Sequence, residues 1–448
     1  MKIAIVTHNL SSITGGPRLI FGLAEHLKGL GQEMVIYAPD VHPHTQETTI
    51  GKQQWNGKKF SREARDEKYH IGKGVGIHDD YFHEISKGIR IQVVKPKRSP
   101  RSAEKWIRQA HHKPRGFLGW VSWKIRQELR EIDLAKTIAE AMDSDFDIVN
   151  LHDFCYRTGY FYKKRNQKTK VVWNENAPLF SYLKRGRMFY DAAGYAYGIL
   201  KNWMNRKYFR AIDKVVVLDR FNEAHSRTEG FRDITMVRAG IDFKKFYASV
   251  KNFKEGAAQR AVQLLAVGAL NAYRRYDNVI DAVRLLREWG YDARAIIVAN
   301  NIWREDKCRN DLQAMVEKYD LKPYIEFHFD GMPEENLIKA FQESDIFIQA
   351  VYSPPPSHHG WGLVNFEAMA AGLPVILVRS ATATEVLKEE ENALFFDPLH
   401  ADQIAEKVKF LIDHPEAYAR VAKAGQTYVK ENQSWKKYAE EMLEVFKS

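Results

Sequence analysis

Among its 448 residues the sequence has only two cysteines, Cys155 and Cys308. They stand far apart without metal-ligand spacing, which excludes a disulfide framework and fits a reducing compartment. No run of eighteen or more apolar residues occurs, so no segment reads as a membrane-spanning helix. The first residues, MKIAIVTHNL, are a short β-branched run without the long apolar centre of a secretory signal. The expected location is cytoplasmic. Acidic residues are the scarcer charge, 57 Asp and Glu against 68 Lys and Arg, a net +11. With 45% hydrophobic and 28% charged residues the chain suits a globular protein, and its length allows two full cores.

Much of the positive charge is local. Between Lys95 and Arg130 eleven basic residues face only Glu104 and Glu128, a net +9, with Trp106, Phe117, Trp120 and Trp123 interleaved. Basic residues mixed with Trp and Phe suit an anionic membrane surface, or else form a solvated face beside core aromatics. Nucleic acid would leave a similar footprint, but no nucleic-acid motif accompanies it.

Residues 2–7 read as a buried strand, followed by a loop with Gly15-Gly16-Pro17, a helical pattern ending near Gly29-Leu30-Gly31, and a strand Met34–Tyr37. This is a βαβ unit with its ligand edge after the first strand. The text from Asp40 to about Lys95 is polar. In it Gly72–Gly76 lacks the strand and helix of a nucleotide loop, and His78, Asp79, Asp80 and His83 read as exposed loop residues. Residues 102–142 look helical. Strands 146–151 and 171–173 end in polar residues, His152-Asp153 and Asn174-Glu175-Asn176. A basic aromatic helix over 184–210 follows, in which Tyr195, Tyr197, Trp203 and Tyr208 read as packing residues. After Asp242 the alternation restarts, with strands at 262–267, 295–299, 325–329, 346–350 and 374–378 and helices between them. Strands alternating with helices in both halves predict α/β architecture with two doubly wound domains.

One stretch of the second half carries chemistry: His358 to Pro374, HHGWGLVNFEAMAAGLP. Gly360 and Gly362 let backbone come close to a ligand where a helix begins, and free N–H groups there favour phosphate. On the helix Glu367 lies between Leu363 and Val364 one turn before and Ala370 and Ala371 one turn after. A carboxylate on so apolar a face needs hydrogen-bonding partners. The pattern describes either a core helix with one satisfied glutamate or a nucleotide-sugar site.

HGWGLVNFEAMAAGLPVI resembles the signature of the family 4 retaining glycosyltransferases of GT-B fold, in which two glutamates stand eight residues apart. Glu367 matches the second glutamate, and His359 occupies the position of the first. Gly360, Gly362, Leu363, Gly372 and Pro374 match as well. The resemblance implies two Rossmann-like domains facing across a cleft, with a C-terminal helix returning to the first. The domains are then 1–245 on the acceptor side (with an insertion at about 40–145), a linker at 246–260, a nucleotide-sugar domain at 261–430, and the returning helix at 431–448.

The resemblance also implies roles. The family's Gly-Arg-Leu, three residues, Lys-Gly segment becomes Gly268-Ala269-Leu270-Asn271-Ala272-Tyr273-Arg274-Arg275. Arg274 falls on the lysine and would hold the leaving diphosphate. Ala269 falls on the arginine, leaving Arg275 and Arg238 as candidates to compensate. Glu367 would bind ribose hydroxyls, and the amides around Gly362 and Leu363 the distal phosphate. His359 would face the transferred sugar and His152 approach it, while Gly15 and Gly16 would let their loop come near phosphates and acceptor. The expected catalytic set is His152, Arg274, His359 and Glu367. The expected donor-binding set is Gly15, Gly16, Gly268, Arg274, Arg275, Gly360, Gly362, Leu363 and Glu367. No metal and no cofactor are expected, since Asp-x-Asp is missing from any convincing strand end. The function implied is metal-independent retaining transfer from a UDP- or GDP-sugar, and the basic aromatic segment 95–130 alone points to a glycan or lipid-linked glycan acceptor at the inner membrane face. An inactive sugar-nucleotide-binding regulator or scaffold is the alternative that Ala269 and His359 suggest.

Overall fold

The computed structural model describes residues 1–8, 10, 15–39, 88–94, 117–176, 189–251, 261–301, 305–352 and 360–448. They form two compact units. The first comprises the described residues up to Val237 together with Ala439–Ser448, and the second Arg238–Tyr438.

The first unit contains β1 (Lys2–Val6), α1 (Gly15–Gly29), β2 (Glu33–Ala38), β3 (Arg90–Val93), α2 (Phe117–Ala141), β4 (Ile148–His152) and α3 (Tyr156–Lys163). It continues with β5 (Lys170–Glu175), α4 (Phe189–Phe209), β6 (Lys214–Val217), α5 (Arg220–Glu229) and β7 (Ile234–Met236). All seven strands are parallel, in the order β3-β2-β1-β4-β5-β6-β7. Runs such as KIAIV and KVVV are buried nearly throughout, as a sheet covered on both faces requires. Its aromatic core centres on Trp173, stacked on Phe209 at 6.1 Å and packed on Tyr156 at 5.7 Å.

Three expectations need correction here. The stretch 40–145 is not wholly an insertion. β3 within it pairs with β2, from Val35 opposite Arg90 to Ala38 opposite Val93, and Ile138 and Ala139 of α2, with Met142 just after it, enter the core. A four-residue edge strand between polar stretches carries too little periodicity to stand out. Gly15 and Gly16 lie in the first turn of α1 rather than in a loop before it, since Pro17 is tolerated in a first helical turn. Trp203, read as packing, is 66% exposed.

The second unit opens with α6 (Phe243–Phe246) and β8 (Val262–Ala269), then α7 (Tyr276–Glu288), β9 (Ala293–Asn300), α8 (Asp306–Lys318), β10 (Ile325–Phe327), α9 (Glu334–Glu343) and β11 (Ile346–Gln349). It closes with α10 (Leu363–Ala370), β12 (Val375–Val378), β13 (Leu394–Phe396), α11 (Ala401–Asp413), α12 (Pro415–Asn432) and α13 (Trp435–Lys447). Its six strands are again all parallel, ordered β10-β9-β8-β11-β12-β13. The last residues of α13 belong to the first unit, where Lys170 Nζ donates to Val445 O at 2.7 Å and Lys214 Nζ to Ser448 Oγ at 2.8 Å.

In each sheet the strand order reverses once, between β1 and β4 and between β8 and β11. Ligands of open parallel sheets bind outside the carboxyl ends of the strands at such a reversal. The two reversals therefore direct attention to His8 and His152, and to Gly268 and Gln349. Among the described residues no helix is long and apolar enough to cross a membrane. Cys155 and Cys308 are free thiols, and burial pushes both above the ordinary thiol range, so neither reads as a reactive nucleophile.

Candidate functional site

In the second unit the reversal is built by β8, β11 and the loop after β8. Gly268 sits beneath Arg274: a Cβ there would lie 3.2 Å from the guanidinium carbon and 3.0 Å from the Tyr276 hydroxyl. The loop folds into a short 3-10 turn, Ala272–Arg274, because the Asn271 side chain accepts from Tyr273 N at 3.2 Å. Tyr352 N donates to Tyr273 O at 2.7 Å, which ties this loop to the chain leaving β11. Arg274 and Tyr276 line a small pocket with Val267, Ile348, Gln349 and Ala350.

The two neighbouring arginines have different surroundings. Arg275 adopts a left-handed backbone, φ 50°, and turns onto the start of α7. There its Nε donates to Asp277 Oδ1 at 3.0 Å and a terminal nitrogen to Asp277 Oδ2 at 2.5 Å. Arg274 pairs with no carboxylate among the described residues, and its Nε is buried without an acceptor. Its neighbour Tyr276 is buried, and burial drives that phenol well above its usual range while Arg274 pulls it back. A cation held without a counter-ion beside a buried phenol suits an anion yet to bind.

Gly362 precedes α10 with φ 73°, a conformation that only glycine adopts cheaply. Close approach also demands glycine, because a Cβ would lie 2.7 Å from Asn365 Nδ2 and 3.0 Å from Gln349 Nε2. Asn365 Nδ2 donates to Gln349 Oε1 at 3.0 Å, and Asn365 Oδ1 is buried without a donor. The amides of Leu363 and Val364 open α10 and have no partner within the helix. Glu367 lies one turn on, 1% exposed. Thr382 Oγ1 donates to Gly360 O and fixes the approach to the helix. Trp361 is buried on Phe366 at 5.2 Å, and Arg238 covers its ring at 5.3 Å while reaching Glu385 at 3.2 Å.

The structure thus brings Gly268, Arg274, Gly360, Gly362, Leu363 and Glu367 to one edge of the second sheet, with Arg275 turned aside. Arg238, a candidate to compensate for Ala269, already shares Glu385. His359, the loop Gly72–Gly76, His78, Asp79, Asp80, His83 and Trp106 lie outside the described residues. Sequence reasoning missed Gln349, Asn365 and Tyr276. Gln349 had left a signal, as the one polar residue ending the apolar run IFIQ.

In the first unit His152 ends β4, fully buried, and its Nε2 lies 2.9 Å from Asn150 Oδ1. Asn150 Nδ2 donates to Asn174 Oδ1 at 2.6 Å, which orients the amide. Nε2 therefore carries the proton, and Nδ1, without a partner, is a spare acceptor. Burial lowers this imidazole to about 3, so it is neutral at physiological pH. Beside it Asp153 holds a left-handed backbone, φ 48°, with its carbonyl accepting from Trp173 Nε1 at 2.8 Å. Burial raises the Asp153 carboxyl, while His8 and Asn176 oppose the rise. Glu175, His225 and Glu229 bring ligand atoms within 4.8 Å of one another and could hold a metal ion. They are hydrogen-bonded already: Ser226 Oγ donates to Glu175 Oε2, and His225 Nε2 lies 3.2 Å from Glu229.

Residues 249–428 match the family model described as glycosyl transferases group 1. Mannosylfructose-phosphate synthase of Agrobacterium fabrum is 23% identical over 219 residues, 47% of this chain and 47% of that protein. The match thus spans about half the length of that relative. Spore coat protein SA of Bacillus subtilis is 22% identical over 325 residues, 69% of this chain and 80% of that protein. The solved structure of Anabaena Alr3699/HepE in complex with UDP and glucose has a TM-score of 0.67 at 13% identity, covering 100% of this chain and 99% of that one. At such identity the likeness speaks for the fold. The family match places a glycosyl transferases group 1 domain at residues 249–428, and the two parallel sheets give the chain the GT-B fold of glycosyltransferases.

Proposed function

We propose that the chain is a retaining glycosyltransferase of the family 4 type. It moves a sugar from a UDP- or GDP-sugar to a glycan or lipid-linked glycan acceptor without a metal ion. Arg274 carries this reading: it is a cation with a buried, unpartnered Nε above Gly268 at the reversal of the second sheet. A departing diphosphate develops negative charge, and Arg274 with the first amides of α10 offers donors to receive it. Glu367 takes the ribose hydroxyls. His152, neutral with Nδ1 free to accept, is the first unit's contact for a sugar hydroxyl. That HepE was solved with UDP and glucose supports a uridine nucleotide as the first donor to try. The acceptor side belongs to the first unit, whose basic aromatic segment 95–130 suits the inner face of a membrane.

Thermal shift with a panel of UDP-, GDP- and ADP-sugars tests the donor site. A ligand at about a hundred times its dissociation constant adds about 2.7 kcal/mol of stability. One nucleotide series should stabilise the wild type, and Arg274→Ala and Glu367→Ala should each lose the effect. NMR of the first-formed product should show the donor's anomeric configuration, with turnover unchanged by a chelator. The second reading, a sugar-nucleotide-binding regulator, is favoured by Ala269 in place of a cation. Donor binding without turnover or hydrolysis in an acceptor extract would select it.

A further inference from the structure

Helix α4 is inverted. Its inward side carries Lys201 and Asn205, 8% and 2% exposed, whereas Ile199, Leu200, Trp203 and Met204 point outward and are about half exposed or more. The inward polar groups join a network across three helices. Lys201 Nζ lies 2.5 Å from Glu128 of α2, Arg157 of α3 donates to Glu128 and Glu131, and Arg157 Nε donates to Asn205 Oδ1 at 3.1 Å. Ile125 and Leu129 of α2, one helical turn apart, are each 55% exposed. Burying charge while exposing six large apolar side chains is the reverse of what water selects, so the outer face is shaped for another solvent.

Charge indicates which one. The network holds Glu128, 14% exposed, and Glu131, 39% exposed, against Arg157 and so neutralises these acids. Over residues 198–209 of α4 there is no acid, and Arg206, Lys207 and Arg210 continue the exposed side, with Arg126 exposed on α2. We infer that the outer faces of α2 and α4 dock on an anionic lipid bilayer. The apolar side chains enter the headgroup boundary, Trp203 sits at interface depth, and the arginines and lysine meet lipid phosphates. A second copy of this chain is a poorer occupant, because it would bring like charge to a basic face. The inference deepens the acceptor-side reading and rests on it for the meaning of the contact: a lipid-linked acceptor would be met where it lies.

The test is co-sedimentation of the full chain with phosphatidylcholine vesicles, with and without phosphatidylglycerol. The wild type should sediment with the anionic vesicles, less so as salt rises from about 0.1 M to about 1 M and the Debye length falls from ~10 to ~3 Å. The double variant Leu200→Gln, Trp203→Gln alters exposed residues only, and it should keep its circular dichroism and melting profile while partitioning about tenfold less. A wild type that stays in the supernatant, or a double variant that partitions equally, overturns the inference. So does a wild-type dimer in gel filtration that the double variant abolishes, which would assign the face to self-association. Thermal shift with UDP-sugars on the same preparations separates the two proposals. Donor binding without vesicle binding sinks only the docking surface, and vesicle binding without donor binding sinks only the transferase reading.

Discussion

Replacing Arg274 with glutamine removes a cation that has no carboxylate partner among the described residues, so the empty protein should lose nothing by it. Its melting temperature should stay level or rise, since a partly buried charge without a counter-ion is itself a cost. Nucleotide-sugar affinity should fall steeply. A hydrogen bond to a charged group is worth about 1.5–3 kcal/mol, or roughly ten- to 150-fold in dissociation constant. Arg275→Gln is the control. It breaks a partly exposed two-point pair with Asp277 and should lower stability by about 0.5–1 kcal/mol, leaving donor affinity within about threefold. Calorimetric titration with UDP-glucose and GDP-mannose, beside scanning calorimetry of the empty proteins, reads both quantities. Equal losses of affinity in the two variants, or wild-type affinity in Arg274→Gln, would refute the assignment of the phosphate site.

Three further outcomes are expected. His152 is held near 3 when folded, below its ordinary value, so the unfolded chain binds the extra proton between about pH 3 and 6.5. Stability from this group is full above that window and falls on acidification, by on the order of 2 kcal/mol from pH 7.5 to 5. Hydrogen exchange over 146–176 should show that loss in the wild type and not in His152→Gln; a ring proton titrating near 6.5 by NMR would contradict it. Gly362→Ala places a Cβ against Asn365 and Gln349 at φ 73°. It should cost at least about 1–2 kcal/mol in urea unfolding and weaken donor binding, whereas Gly290→Ala, also at positive φ but with open space around it, should leave binding alone. Arg157→Met takes a buried cation from Glu128 and Glu131 while leaving Lys201 beside them, and should destabilise the first unit by about 2–3 kcal/mol at neutral pH, measured by urea unfolding. Adding Glu128→Gln and Glu131→Gln should recover part of that loss.

The sequence by itself determined the two parallel sheets. A chain that alternates short apolar runs with amphipathic helices can bury both only by laying helices on both faces of a parallel sheet, and it does so twice. It also determined the glycine-marked start of α10 and the burial of Glu367, because a helix apolar on nearly every face leaves a carboxylate nowhere exposed to go. Tertiary structure alone distinguished Arg274 from Arg275. They are adjacent and chemically identical in the sequence, and only the left-handed backbone of Arg275 gives one of them to Asp277 and leaves the other above Gly268. It alone joined Gln349 to Asn365 sixteen residues on, since a hydrogen bond between the last residue of a strand and the first turn of a helix has no local periodicity. The four-residue β3 gained its place only by pairing with β2. The inversion of α4 was hidden for a related reason. Its pattern is amphipathic in either sense, and Lys201 and Asn205 turn inward only because Glu128, Glu131 and Arg157 come from two other helices to meet them.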